Sequence, residues 1–194
     1  MKDLNNARID TWFPKSIYVL ENFNTNNIKL YEKEIKKLKS NKKRTDYIQV
    51  DSSHHIESLH KQEVFKNLFD DIKKHILIFL KNLGYNNNSL LKMDFNESWY
   101  NISKPGDYLI KHIHPNSIIS GAYYLKSNKD DFITFFDNDS MILSPNNYNE
   151  LSYEYCNYEC IPGRLLLFKS NLNHSTNKQI GKEKIVISFN FNLK

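Results

Sequence analysis

Cysteine, glycine and proline are scarce in this 194-residue chain, which has two, five and five of them. Cys156 and Cys160 stand four positions apart, without the further cysteines of a disulfide framework or a structural zinc site. We therefore interpret them as reduced, structural thiols. No apolar run is long enough to span a bilayer, and the N-terminus has no signal-peptide pattern. The sequence thus predicts a cytoplasmic protein that is not embedded in a membrane.

A large excess of one charge sign is also missing. The chain has 27 Lys+Arg and 22 Asp+Glu, a formal net charge of +5, and much of the excess lies in residues 33–44. Such a basic run could contact a nucleic acid or an acidic partner. More often it is the solvated face of a helix and the loop that follows, and we interpret it so. Nucleic-acid binding is therefore not expected.

Aromatic residues, in contrast, are abundant, with 12 Tyr and 12 Phe. Aromatic side chains suit the pleated, half-buried surface of a β-sheet. The length and the 40% hydrophobic content fit one globular unit with a sizeable core. We expect a single domain over residues 1–194, in which residues 1–90 are mainly helical support and residues 91–194 are the β core.

The order of secondary structure predicts an α+β fold with the helices packed on one face of an antiparallel assembly. A short peripheral strand is expected within 12–19, an amphipathic helix after Thr25, and a stronger one over 60–83 that ends before Gly84. Strands are predicted at 95–102, 117–125, 132–136, 164–168 and 184–193. The pattern alone leaves a sandwich, a barrel and a jelly roll open.

Three of the seven histidines stand in an arrangement that could bind a metal. His112 and His114 would project to the same face of an extended segment, which Pro115 favours by restricting His114. His174 follows a second apolar strand and could complete a facial set of three nitrogens. A His-x-His pair by itself is a weak signal, because surface or core histidines fall into this spacing by chance.

Lys184 opens the last predicted strand, ten residues after His174. That strand alternates between an apolar and a mainly polar face, and Lys184 leads the polar one. The lysine could pair with a carboxylate bound near the metal. Without further context, an ordinary solvated surface lysine is the alternative.

The sequence resembles the iron- and 2-oxoglutarate-dependent oxygenases, and within them a group of small bacterial and phage proteins. The shared pattern runs over about half of the chain. It comprises Trp99, Asn101, His112, His114, Pro115, Ser120, Gly121, Tyr123, Tyr124, Gly163, Phe168, Ser170, His174 and the segment Lys184 to Asn190.

The resemblance implies a double-stranded β-helix, the jelly-roll fold that cupins share, with Fe(II) bound by His112, His114 and His174. His114 stands where most of the superfamily has a carboxylate, so Asp107 or Asp137 is the alternative ligand if His114 does not bind. The residues implied at the 2-oxoglutarate site are Lys184, Tyr124, Asn101 and Ser188. Many relatives have arginine in place of Lys184. The lysine ammonium offers a point charge, whereas the arginine guanidinium can bind a carboxylate through two parallel hydrogen bonds.

The activity implied is that of an iron(II)- and 2-oxoglutarate-dependent dioxygenase, by default a hydroxylase. Halogenation is disfavoured because His114 fills the position that a halide would need. The alternatives are a tris-histidine, cupin-like dioxygenase that needs no 2-oxoglutarate and a non-catalytic β-barrel binding module. The substrate expected is a small molecule or a peptide, with an acidic one slightly favoured by the basic net charge, and the sequence leaves a homodimer open.

Overall fold

The computed structural model of the chain describes residues 11, 13–39, 49–56, 58–86, 92–137 and 143–193. The predicted loop residues Asn87 and Asn88 and the basic-segment residues Lys42, Lys43 and Arg44 lie outside this part. Within it, the lysines of the basic segment are exposed at positions 33, 36, 37 and 39, as expected for a solvated face. None of the described helices is both long and apolar enough to cross a membrane.

Two α-helices and nine β-strands make up the described fold. The helices are α1 (Ile28–Ile35) and α2 (Lys66–Asn82). The strands are β1 (Ile17–Leu20), β2 (Asp51–Ser52), β3 (Met93–Ser103), β4 (Ile119–Lys126), β5 (Phe132–Phe136), β6 (Tyr155–Glu159), β7 (Leu165–Lys169), β8 (His174–Thr176) and β9 (Lys184–Leu193).

The strands form two antiparallel sheets that face each other without closing into a barrel. The larger has six strands in the order β1-β7-β4-β9-β3-β2, and the smaller has three in the order β6-β5-β8. Because side chains alternate along a strand, β4, β7 and β9 contribute to two separate apolar cores. One core lies between the large sheet and the helices, and the other lies between the two sheets. This layered arrangement is the predicted double-stranded β-helix with helices on one face.

Predicted and observed elements agree best where apolar and polar residues alternate strongly along the sequence. Strands β5 and β9 have the predicted bounds, and β3, β4 and β7 differ by one or two residues at their ends. The sequence missed β2, β6 and β8. Strands β2 and β8 have only two and three residues, and β6 is an almost fully exposed edge strand that shows no alternation of burial. Segments this short, or with no buried face, show neither helix periodicity nor hydrophobic alternation, so the sequence pattern cannot reveal them.

The ends of the helices differ from the prediction in a way that the backbone explains. The segment before α2 forms two short 3-10 turns, because Gln62 between them is extended (φ −93°, ψ 132°). Thr25 likewise opens a 3-10 turn, and the residue that precedes α1 is Asn27. At the other end of α2, Gly84 has φ +92° and its amide bonds the Lys81 carbonyl. This left-handed residue ends the helix, as the glycine predicted.

Gly121 on β4 brings an aromatic ring close to the sheet. A Cβ at this position would lie 2.3 Å from the ring of Phe189 on the adjacent strand β9. A Cβ at that distance would displace the ring, so glycine allows Phe189 to keep its place in the core under the helices.

Replacement of Phe69 on α2 tests whether this helix is structural. Its side chain is 3% exposed and makes edge contacts with Phe95 and Phe189. Phe69→Ala should lower the free energy of unfolding by at least about 3 kcal/mol, because it leaves a cavity in the core. Chemical denaturation measures the change, and Ile78→Ala, on the exposed face of the same helix, is the control. Equal stability of wild type and Phe69→Ala would contradict a structural role.

Candidate active site

The three histidines predicted as a group lie together at one end of the space between the sheets. His112 and His174 face each other in an antiparallel bridge, with amide-to-carbonyl distances of 2.9 and 3.0 Å in the two directions. The amide of His114 bonds the Ser170 carbonyl at 2.9 Å. The segment before β4 is thereby held against β8 and the end of β7. Backbone pairing thus brings residues from distant parts of the sequence to one point.

Each of the three imidazoles has its Nδ1 atom committed to a hydrogen-bond acceptor. Nδ1 of His112 lies 2.7 Å from the Ile110 carbonyl, and Nδ1 of His174 lies 2.9 Å from the Leu172 carbonyl. Nδ1 of His114 lies 2.6 Å from Oδ1 of Asn190. Because these partners accept, Nδ1 carries the proton in each neutral ring, and Nε2 presents a lone pair.

The unprotonated nitrogens converge. One ligand atom of each histidine lies within 4.8 Å of the other two. The Nε2 atoms of His112 and His114 are 3.3 Å apart, although both carry lone pairs and neither can donate to the other. Two lone pairs at this distance repel each other unless a cation lies between them. The donor set therefore fits a metal ion such as iron, which imidazole nitrogen binds well.

Burial keeps these rings neutral. It lowers the pKa of His114 to about 4, with the Asn190 hydrogen bond opposing the shift and the neighbouring His112 adding to it. The pKa of His112 is lowered by burial, and that of His174 lies well below its usual range for the same reason. Neutral imidazole is the form that binds a metal.

A chain of polar groups behind His114 fixes the orientation of its ring. Oδ1 of Asn190 also accepts a hydrogen bond from Ser120 Oγ at 2.8 Å, and Nδ2 of Asn190 donates to Glu97 Oε2 at 2.9 Å. Ser120 in turn contacts Ser170, with 2.8 Å between the hydroxyl oxygens. The sequence pattern contained both serines and Asn190 but gave them no role. Only the strand register shows that they surround the same histidine.

All the residues predicted at the site line one cavity of about 400 Å³. This volume accommodates a small cosubstrate together with part of a substrate. The predicted residues that line it are His112, His114, His174, Lys184, Tyr124, Asn101 and Ser188. The two alternative ligands lie elsewhere. Asp107 accepts the Lys104 amide in a turn at 2.8 Å, and Asp137 pairs with Lys15.

The buried end of the cavity holds a lysine. Lys184 is only 2% exposed, so the alternative of a solvated surface lysine is wrong. Among the described residues no hydrogen bond or ion pair involves its ammonium. Tyr124, also 2% exposed, lines the same cavity, and burial raises the pKa of its hydroxyl well above the usual range, so that it stays a hydrogen-bond donor. An unpaired buried cation is costly, which suits a site for an anionic ligand.

Asn101 is engaged with its neighbours. In the orientation that satisfies both ends of its amide, it donates to Ser52 Oγ at 2.7 Å and accepts from Trp99 Nε1 at 3.2 Å. The indole of Trp99 is thus held between the rings of His54 and His114, at centroid distances of 4.4 and 5.7 Å. Asn101 therefore positions Trp99 in the cavity wall.

The exposed end of the cavity contains a group that the sequence did not reveal. His54, His55 and Glu97 line the cavity there, and their ligand atoms lie within 4.8 Å of one another. Burial and the neighbouring His55 lower the pKa of His54, and Glu97 opposes this shift. His54 and Glu97 are more than forty positions apart in the sequence. No motif links them, and strand β2 with the turn after it brings them together.

The lowered histidine pKa values predict acid destabilisation of the metal-free protein. Between pH 6.5 and about 4 the unfolded chain binds protons that the folded His114 does not, so stability falls as the pH is lowered through this window. The shift corresponds to at most about 3 kcal/mol for His114. Urea unfolding in the presence of a chelator at pH 7.5 and 5 measures the loss. His114→Gln should lose less on acidification, and an equal loss in both proteins would contradict the assignment.

Comparison with known proteins places this site in a family. Residues 97–192 match the model of a 2OG-Fe(II) oxygenase family. A search of curated protein sequences finds no match. The fold is similar to that of a Pseudomonas putida prolyl-4-hydroxylase, with a TM-score of 0.69 and 14% identity over 93% of this chain and 94% of the other.

Two further solved structures have the same fold. HygX from Streptomyces hygroscopicus, with nickel and 2-oxoglutarate bound, has a TM-score of 0.65 and 12% identity over 93% of this chain and 84% of its own. A viral collagen prolyl hydroxylase from Paramecium bursaria Chlorella virus-1 has a TM-score of 0.59 and 15% identity over 90% and 94%. The solved structures show that the fold is shared, and the family match, which runs from within β3 to within β9, identifies the chain as a member of the iron(II)- and 2-oxoglutarate-dependent oxygenases.

Proposed function

We propose that His112, His114 and His174 bind the iron of this oxygenase through their Nε2 atoms. The observation that carries the proposal is the convergence of three imidazoles whose Nδ1 atoms are all bonded elsewhere. No carboxylate belongs to this group among the described residues. The three neutral ligands would leave the full charge of the metal uncompensated, which favours a dianionic cosubstrate.

We further propose that Lys184 and Tyr124 bind the distal carboxylate of 2-oxoglutarate. Both are buried, both line the cavity that the histidines line, and both offer hydrogens to an anion. A carboxylate at this end would give the lysine the counter-charge that it lacks among the described residues. Charge-assisted hydrogen bonds of this kind are strong where water is excluded.

In the reaction, the chain's own residues would hold and orient the reactants. Iron and 2-oxoglutarate, when bound, supply the oxidising chemistry with dioxygen, and hydroxylation is the proposed outcome. Asn190 and Ser120 would keep His114 in its metal-binding orientation. The apolar wall of the cavity, which includes Phe168 and Val186, would exclude water from the reacting centre.

The substrate would reach the site from the exposed end of the cavity, past His55 and Glu97. We propose a small molecule or the side chain of a peptide, because 400 Å³ shared with a cosubstrate leaves no room for a larger group. A cytoplasmic location, which we also propose, fits the free thiols of Cys156 and Cys160.

Coupled turnover tests the reaction class without knowledge of the substrate. The substrate supplies the two electrons that dioxygen needs beyond the two from 2-oxoglutarate, so the iron-loaded protein should form succinate with matching oxygen uptake when the true substrate is present. A metabolite extract added to the assay would reveal that turnover. Oxygen uptake with an organic substrate but without 2-oxoglutarate would instead indicate the cupin-like alternative.

A further inference from the structure

We propose that His54, His55 and Glu97 form a second metal site, which takes a divalent cation such as Zn²⁺ at the exposed end of the cavity. Two imidazoles and one carboxylate are a ligand set that zinc binds with three protein ligands and one open position. The group is separate from the three histidines proposed for iron. The metal site itself does not depend on that assignment.

The distances from the two histidines to Glu97 are too long for hydrogen bonds and suit ligands that share a cation. His54 Nε2 lies 3.7 Å from Oε2 of Glu97, and His55 Nδ1 lies 3.7 Å from Oε1. Two ligands that are each about 2.1 Å from a tetrahedral zinc ion are about 3.4 Å apart. The ring of His55, which is largely exposed, would have to turn out of its stack with His54 to bring all three into coordination.

The Nε2 atom of His54 gives an independent reason to expect a ligand. This atom is buried, and it has no hydrogen-bond partner in the described part of the chain. Buried polar atoms without a partner are rare in folded proteins, and each one calls for a physical explanation. A cation between His54 and Glu97 would satisfy the nitrogen and the carboxylate together.

The backbone at His55 is arranged so that both histidines face the same carboxylate. Side chains of consecutive residues in an extended segment point to opposite faces. His55 has φ +63°, a left-handed conformation that costs free energy in a residue other than glycine. In this conformation the rings of His54 and His55 stack, with centroids 3.7 Å apart. Strain of this kind is concentrated at functional sites.

Neighbouring groups would support the bound cation. Asn190 donates to Glu97 Oε2 at 2.9 Å and orients the carboxylate, and the ring of Trp99 packs against His54 at 4.4 Å. Such outer contacts are a regular feature of metal sites. If the proposed function holds, the open fourth position would face the substrate. The cation would then outweigh the charge of Glu97 and attract a substrate with a carboxylate, phosphate or hydroxyl group.

Zinc stoichiometry tests the proposal. Untagged protein is stripped with a chelator and dialysed against Zn²⁺, and metal and protein are quantified together. The wild type should bind two equivalents, since zinc also fits the three-histidine group. His55→Ala should bind one, because His55 is largely exposed and its removal disturbs little else. Glu97→Gln should also bind one, and its amide oxygen can still accept from Asn190.

Further variants separate this site from the one proposed for iron. His174→Ala should bind one equivalent, the His55→Ala/His174→Ala double variant none, and the control His75→Ala two, since His75 bonds Tyr18 outside the cavity. A single equivalent in the wild type that His55→Ala retains, or two equivalents in both His55→Ala and Glu97→Gln, would overturn the second site. Loss of zinc in His55→Ala but not in His174→Ala would support the second site and would instead contradict the assignment of His174 as a ligand of the iron.

Discussion

Replacement of Lys184 by methionine should weaken 2-oxoglutarate binding by a few hundredfold or more while iron binding survives. Lys184 is 2% exposed at the closed end of the cavity, and methionine has a similar volume but no charge. The variant would leave the distal carboxylate of the cosubstrate buried without a counter-charge. Breaking such a pair typically costs about 3 to 5 kcal/mol, which corresponds to this change in affinity.

Anaerobic titration of the iron-loaded protein with 2-oxoglutarate, followed in the visible region, is the direct measurement. Lys184→Arg should keep part of the affinity, because the charge stays while length and geometry change. Lys126→Met is the matched control, since Lys126 lies on the neighbouring strand β4 and pairs with Glu183 at the surface at 2.9 Å. Equal affinity in wild type and Lys184→Met would remove the lysine from the cosubstrate site.

The second large effect is expected at His174, whose replacement by alanine should weaken iron binding by more than about a hundredfold. Loss of a group that merely supports a ligand already costs about ten- to a hundredfold in metal affinity, and His174 is proposed as a ligand itself. Its ring is 5% exposed and packs against Phe168 at 4.8 Å between centroids. Iron analysis after anaerobic reconstitution measures the loss, and circular dichroism checks that the variant is folded.

The same measurement on His114→Ala decides whether the site has three histidines. We expect iron to be lost there too, since the Nε2 atoms of His114 and His112 are only 3.3 Å apart. His75→Ala, a histidine outside the cavity, is the control. If His114→Ala kept one iron per chain, the tris-histidine site would be wrong. Asp107 and Asp137 would then be tested as ligands, although both are engaged elsewhere in the structure.

Much of the fold could be predicted because its main elements have a local signal. The alternation of apolar and polar residues predicted the bounds of β5 and β9, and the apolar stripe together with Gly84 predicted where α2 ends. Residues whose burial depends on a distant partner gave no such signal. Strand β2 has two residues and exists only because β3 pairs with it, so no periodicity could reveal it.

Spacing and resemblance identified candidate site residues in the sequence, but they gave no information on what each side chain contacts. His112 and His114 could be paired from a spacing of two, and His174 could be added because it follows a second apolar strand. The roles of Asn190 and Glu97 could not be read in the same way. Asn190 is one polar residue among several on β9, and its bonds to His114 and Glu97 depend on how three strands are placed beside one another.

The sequence by itself determined the fold class, the grouping of three histidines as candidate metal ligands and the family resemblance, because these follow from periodicity and from motifs of residues close together in the chain. Only the tertiary structure decided whether Lys184 is a surface residue or a buried cation, since an alternating strand specifies a face but not what covers it. It also decided the tautomers of the three histidines and the meeting of His54 with Glu97. These depend on hydrogen bonds and packing between segments far apart in the chain, which no local pattern encodes.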